Sequence, residues 1–267
     1  MSILDSVFSQ VFRSVIGDVD WLPNSLFAQA EPGAWYDPSN LTTLFQDSAG
    51  TTPVTSAGQT VGLMLDKSGR GNHATQATLA QRPTYQIDST GRPYLSFDGV
   101  DDGMVTGTIT PGTNKVQVFS GVRKLSDALR GVVAEMSATI AGNAGVFTLI
   151  TSSSSGPNYT FSSKGTVQTD NIGSTYAAPI TNVVSALGDI SGPSSLVRVN
   201  GSQVGSVLTT QGTGNYLAYP LYIGRRGGSS LPFNGRIYSL IVRFGAPLTI
   251  GQITSTENYV NSKTGAY

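Results

Sequence analysis

Apolar side chains recur at every second position through much of the chain, in short runs closed by glycine, proline, asparagine or aspartate, the period of strands with one buried face. Over 115–123, Val116, Val118, Ser120 and Val122 fall on one side and Lys115, Gln117, Phe119 and Arg123 on the other, so one face of this strand is expected in a core. Over 235–244, Tyr238, Leu240, Val242 and Phe244 share a side. The stretch 94–102 sends Leu95 and Phe97 one way and Tyr94 and Ser96 the other. It then stops at Asp98-Gly99 followed by Asp101 and Asp102, which predicts a core strand ending in an acidic turn. The same pattern predicts strands over 61–65, 131–136, 145–151, 159–163, 183–190, 196–199 and 219–224, with Asn200-Gly201 as a hairpin turn.

Two stretches follow a different period. Over 3–16, Ile3, Leu4, Val7, Phe8, Val11, Phe12, Val15 and Ile16 recur at three- and four-residue spacing, the mark of an amphipathic helix ending near Gly17. Its stripe is wide and its position terminal. It either packs on its own domain or presents Leu4, Val7, Phe8, Val11, Phe12 and Val15 for docking to a partner or to copies of itself. Near the other end, Thr249 and Gln252 have capping-box spacing, Ile253 and Val260 share a face and Gly265 is a stop, predicting a short C-terminal helix. Residues 18–32, with Pro23 and Pro32, read as a linker or extended arm, so the chain divides into 1–32, an anchoring or oligomerisation arm, and 33–267, a β domain.

Composition narrows the class. At 267 residues the chain is long for one domain, but β sandwiches reach roughly 200 to 250 residues. With 32 Gly, 13 Pro and only 12% charged residues, many short strands joined by tight turns are favoured over long charged helices. Lys plus Arg equals Asp plus Glu at 16 each, so no net field draws the protein to nucleic acid. No apolar run approaches the roughly 18 residues of a membrane span, and no membrane insertion is expected. The absence of cysteine removes disulfides, thiolate nucleophiles and cysteine zinc sites together. Ala28-Gln29-Ala30 looks like a signal-peptidase site, yet Asp5, Arg13, Asp18 and Asp20 interrupt the stretch before it, so no signal peptide is expected.

Several segments together resemble the laminin-G-like jelly roll of the concanavalin A-like lectin superfamily. They are 66–74 (Asp-Lys-Ser-Gly-Arg-Gly-Asn-His-Ala), 95–102 (Leu-Ser-Phe-Asp-Gly-Val-Asp-Asp), 197–201 (Val-Arg-Val-Asn-Gly), Ile223-Gly224 and 233–238 (Phe-Asn-Gly-Arg-Ile-Tyr), in the family's order, with Asn258-Tyr259-Val260 and Lys263 similar to its usual ending. The resemblance implies an all-β, concanavalin A-like jelly-roll sandwich of two antiparallel sheets, flanked by the N-terminal amphipathic helix and arm and the C-terminal helix. Residues 33–41 (Gly-Ala-Trp-Tyr-Asp-Pro-Ser-Asn-Leu) and Phe45-Gln46-Asp47 further resemble the opening of jelly-roll proteins of tailed bacteriophages and prophages. That implies a virion protein of the tail, baseplate or fibre, made in the bacterial cytoplasm. Its N-terminal helix would join other virion proteins, in a homo-oligomer, and its lectin-like domain would bind host surface glycan during adsorption. The competing expectations are a head or tail decoration protein without host binding and, more distantly, a polysaccharide hydrolase.

Candidate chemistry is sparse. The glutamates are Glu31, Glu135 and Glu257, far apart and outside the clustered Glu/Asp strand of the superfamily's glucanases, while the lone His73 has no Gly-x-Ser-x-Gly elbow to serve. No phosphate-cradling glycine loop is present either, and a non-enzymatic protein is expected. Calcium is the one cofactor with footing, through Asp66, Asp98, Asp101 and Asp102, although a tight turn selects the same residues. For glycan, Tyr216, Tyr219 and Tyr222 beside Arg225 and Arg226 are the candidate surface, with core packing as the competing role of the tyrosines.

Overall fold

The computed structural model describes residues 21–152, 156–192 and 194–267; the stretch 3–16, with Leu4, Val7, Phe8, Val11, Phe12 and Val15, lies outside the described residues. In chain order the strands are β1 (Gly33–Tyr36), β2 (Leu44–Phe45), β3 (Leu63–Met64), β4 (Ala74–Thr75), β5 (Thr84–Ile87), β6 (Pro93–Asp98), β7 (Met104–Ile109), β8 (Lys115–Lys124) and β9 (Val132–Met136). They continue with β10 (Val146–Ile150), β11 (Asn158–Lys164), β12 (Gln168–Thr175), β13 (Ile180–Asp189), β14 (Ser194–Val199), β15 (Ser202–Val207), β16 (Tyr219–Ile223) and β17 (Asn234–Phe244), followed by helix α1 (Ile250–Thr264). One sheet has eight strands, ordered β15-β14-β13-β8-β17-β6-β5 with β1 also on β17; the other has nine, ordered β12-β11-β10-β9-β16-β7-β4-β3-β2. All the pairings are antiparallel, and the two sheets face each other as a jelly-roll sandwich.

The core between the sheets follows the alternation. Leu95, Phe97, Val116, Val118, Val122, Leu240, Val242 and Phe244 meet Ala134, Met136, Phe147, Leu149, Phe161, Leu221 and Ile223 in one cluster. The Asn200-Gly201 turn has φ of 50° and 77°, the left-handed pair that a two-residue hairpin demands. Strands β5, β7 and β12 escaped the periodicity. β12 is an edge strand whose inward positions are Thr169, Asn171 and Gly173, and Asn171 donates to Ser195 O at 2.7 Å instead of filling a core.

Two expectations about faces are corrected. β8 is buried on both sides, because Phe119, with Val183 and Ile241, lies in a second cluster outside the eight-stranded sheet, under Ile253 and Val260 of α1. Part of the expected arm joins this cover: Leu26 and Phe27, in a 3-10 turn at Pro23–Phe27, belong to the same cluster. Arg243 then ties the segment down, donating from Nε to Leu26 O and from Nη2 to Glu31, each at 2.8 Å. On β17, Tyr238 does not share the face of Leu240. The register shifts between Ile237 and Ser239, and this bulge turns Tyr238 outward, where its ring lies 5.3 Å from that of Tyr94.

Asp37, just after β1, fastens α1 to the sheet. Its carboxylate accepts hydrogen bonds from Ser39 N, Lys67 Nζ at 2.9 Å and Tyr259 OH at 2.8 Å, with Lys263 Nζ at 3.4 Å. Trp35 meets Tyr259 edge-on at 5.7 Å and carries the Lys67 ammonium 4.2 Å above its ring. Burial opposes ionisation of Asp37, but the bonds from Ser39 and Lys67 and the two lysine charges outweigh it and lower the carboxyl to about 2. A carboxyl lowered on folding stabilises the fold above its unfolded value near 4 and loses that contribution as pH falls toward 2. Asp37→Ala is therefore expected to cost roughly 3 kcal/mol in chemical denaturation at neutral pH, with the difference from the parent shrinking between about pH 4 and pH 2.

Candidate functional site

The acidic turn is built as the sequence suggested, and its carboxylates mostly serve the turn. Asp98 Oδ1 accepts from the backbone N–H of Val100 (2.8 Å), Asp101 (3.2 Å) and Asp102 (3.4 Å), and Asp102 Oδ2 accepts from Asp98 N at 3.0 Å. Carboxylate oxygens of Asp98, Asp101 and Asp102 lie within 4.8 Å of one another, a possible cation group by spacing. Asp66 does not join them, which corrects the four-aspartate expectation. Its two oxygens hold Trp35 N, Ser68 N, Ser68 Oγ and Asn72 N in a loop of its own, where His73 Nδ1 accepts from Asp66 N. The three carboxylates could give calcium only part of the six to eight oxygens it takes, and those of Asp98 and Asp102 already accept from backbone N–H groups, so their observed role is to hold the turn.

The tyrosine and arginine surface is also redistributed. Tyr216 is core, 1% exposed, its hydroxyl 2.6 Å from Ser163 Oγ and its ring against Phe147 and Phe244. Tyr219 packs half-buried on the same core. Tyr222 turns to the opposite face, as alternation with Leu221 and Ile223 requires. Arg225 braces the acidic turn through Asp101 O at 2.9 Å, whereas Arg226 reaches Glu135 at 2.8 Å. The five residues therefore form no common surface.

The outer face of the nine-stranded sheet does bring polar groups together. Register places Tyr222 of β16 beside Glu135 of β9, Glu135 beside Thr148 of β10, Thr148 beside Ser162 of β11 and Ser162 beside Asp170 of β12. A second row runs Ile150–Thr160–Ile172 over the same strands. Ser162 and Asp170 of the first row and all three residues of the second, with Arg130, Arg226, Gln168, Ile140 and Ala141, line a groove of about 180 Å³.

Its walls are fixed from below. Glu135 is fully buried; it takes the Arg226 guanidinium on both oxygens and Ile140 N at 2.9 Å, while Lys164 Nζ donates to Ile140 O and Ala141 O. Burial raises the Glu135 carboxyl above its ordinary value in spite of Arg226. Asp170 accepts from Gln168 Nε2 at 2.8 Å. On the floor, Thr160 is only 6% exposed and its hydroxyl has no protein partner, a state that costs about 1–3 kcal/mol unless something else supplies a hydrogen bond. Sequence reasoning missed this site. Its signal was the polar half of the alternation in β10 and β11, at Thr148, Thr160 and Ser162.

No family model and no curated protein matches the chain. Solved structures do match in architecture. Domain 4 of AbnA, an extracellular arabinanase from Geobacillus stearothermophilus solved with arabinotriose, has a TM-score of 0.56 and 16% identity, over 84% of this chain and 97% of that domain. An arabinofuranosidase solved with arabinofuranosyl-alpha-1,2-xylobiose has a TM-score of 0.62 and 16% identity, over 90% of this chain and 65% of that one. Botulinum neurotoxin type C, from a study of cell entry dependent on two ganglioside molecules, has a TM-score of 0.55 and 12% identity, over 86% of this chain and 51% of that one. The fold is a jelly-roll sandwich. The likeness at these identities is one of architecture, and it spans nearly all of the arabinanase domain but only about half of the neurotoxin chain.

One consequence for the acidic turn is measurable. Burial, then the charge of Asp98, pushes the Asp102 carboxyl up to about 7. A carboxyl raised on folding weakens the fold as pH climbs from its unfolded value near 4 through 7. Asp102→Asn, which keeps an oxygen for Asp98 N, is expected to flatten the melting-temperature profile across that window and to raise the melting temperature at pH 8, with EDTA changing neither protein. An unchanged slope in the variant would refute the assignment.

Proposed function

We propose that the protein is a non-enzymatic, lectin-like module that binds glycan in the groove on the outer face of the nine-stranded sheet. The observation that carries this reading is the buried Thr160 hydroxyl, unpartnered at the floor of a cavity whose lining also holds Ser162, Gln168, Asp170, Arg130 and Arg226. Hydroxyl, amide and carboxylate side chains are what sugar hydroxyls pair with, and Ile150 and Ile172 offer apolar contact to C–H groups. At about 180 Å³ the cavity is smaller than the roughly 300 Å³ where sites for drug-sized ligands begin, so it suits one sugar ring of a chain that continues outside. The sugars bound to two of the structural neighbours are compatible with this role.

Glycoside hydrolysis is disfavoured because it commonly needs two carboxylates flanking the bond, and each glutamate is held by an arginine: Glu31 by Arg243, Glu135 by Arg226 and Glu257 by Arg198. The resemblance of 33–47 to phage jelly-roll openings supports a finer reading, a tail, baseplate or fibre component of a virion whose glycan lies on the host surface. Residues 1–20 would then carry attachment to other virion proteins or to further copies, since 26–31 are already packed on the domain.

A glycan array of host-envelope saccharides tests the site. Thr160→Val replaces an unpartnered hydroxyl with a methyl of the same shape, so thermal stability should hold or rise by about 1 kcal/mol while glycan binding weakens about tenfold. An array without any binder, or binding indifferent to Thr160→Val, would overturn the reading. Deletion of 1–20 should leave a folded domain that no longer enters particles, and normal incorporation would remove the attachment role.

A further inference from the structure

The groove does not end at its floor. Arg130 lines both the 180 Å³ cavity and a neighbouring one of about 570 Å³, whose wall includes Ala128, Leu129, Leu231 and Pro232. The two cavities differ in character. The inner one is polar, with Asp170, Ser162 and Thr160; the outer one is largely apolar, with Leu129 71% exposed along its side. Leu231 holds a left-handed backbone with φ of 49°, a conformation that costs a branched residue about 1–3 kcal/mol and is often retained where a site needs that shape.

Charge is distributed unevenly along this path. Arg226 is neutralised by Glu135, and Asp127, at the edge of the outer cavity, is neutralised by the buried Lys124 at 2.7 Å. Asp170 has only an amide partner and its charge is offset by Arg130 in the same lining, so the inner cavity carries no net charge and favours a neutral, hydroxyl-rich ring. Arg130 makes no hydrogen bond, ion pair or ring contact with any other described side chain, and it stands where the two cavities meet. A guanidinium with all its donors free at such a junction is suited to a planar carboxylate.

We infer that the ligand is an acidic oligosaccharide of at least two sugars. A neutral ring occupies the inner cavity, and the next ring lies against Leu129, Leu231 and Pro232 with its carboxylate on Arg130. This assignment rests on the glycan-binding role of the groove and adds to it the chemical class of the ligand and a second subsite.

The test uses the full chain and tetrasaccharides of hyaluronan, chondroitin and heparosan, in which uronic acid alternates with a neutral amino sugar in three different linkages. Each is titrated by calorimetry beside its carboxyl-reduced counterpart. At least one acidic form should bind about tenfold more tightly than its reduced form, the size expected of one charge-assisted pair. The preference should fade at about 0.5 M salt and vanish in Arg130→Gln, while Thr160→Val weakens both forms alike. Arg130 is exposed and has no partner among the described residues, so its replacement is expected to leave the fold intact. Equal binding of acidic and reduced forms, a preference surviving in Arg130→Gln, or binding of neutral glycans alone would overturn the acidic assignment and leave the groove's glycan role standing. Absence of binding to every glycan, acidic or neutral, would overturn both.

Discussion

The outward faces of β8, β13 and β17 must be kept from water, and most of the architecture follows from that. Phe119, Val183 and Ile241 are apolar on the side away from the sandwich core, and the sheet cannot leave them exposed. Their cover comes from two segments more than 200 residues apart, the turn at Pro23–Phe27 and helix α1. Neither would hold its place by its own propensity. The Asp37 carboxylate, with Lys67, Lys263 and Tyr259 around it, and Arg243, with Leu26 O and Glu31, are the polar clamps that fix them. The mouth of the chain from Gly33 to Ser39, which on sequence looked like a family signature, is thus a docking platform for the C-terminal helix.

Covering one sheet leaves the other available. Among the described residues no helix packs on the outer face of the nine-stranded sheet, so its outward positions are free to be polar, and they line up across β16, β9, β10, β11 and β12. Glu135 is the one charged member buried there, and it acts as a post to which both the Arg226 loop and the Ile140 loop are tied. A groove with walls fixed in this way loses little conformational freedom when it is filled, which suits a shallow site with few contacts.

The sheets were legible in the sequence because a buried strand face repeats every second residue, which gave the inward faces of β6 and β8, while the Asn200-Gly201 hairpin was legible from its turn residues; the cover over the outer face of β8 was not. The bulge at Ile237 and Ser239 was not, since one inserted residue reverses a face without altering composition. The groove was illegible for a different reason. Thr148, Ser162 and Asp170 look like ordinary solvent-facing residues until strand register sets them side by side. Conversely, Tyr216 was left between surface and core and Arg226 looked like a free loop charge, because a sequence does not display the partner that buries a hydroxyl or neutralises a guanidinium. Asp66 was grouped with the other aspartates by residue type alone, and the fold gives it a separate loop to organise.

The segment leading into the domain reaches it on the helix-covered side, where Trp21, Leu26 and Phe27 pack, and the groove opens on the opposite sheet. Attachment through the chain before Trp21 would therefore meet the domain on the face away from the groove. Several copies on one scaffold would present several identical, weakly holding sites. Such an array gains its grip on a repetitive polymer from number and spacing more than from any single contact, releasing and rebinding one site at a time while the whole stays attached.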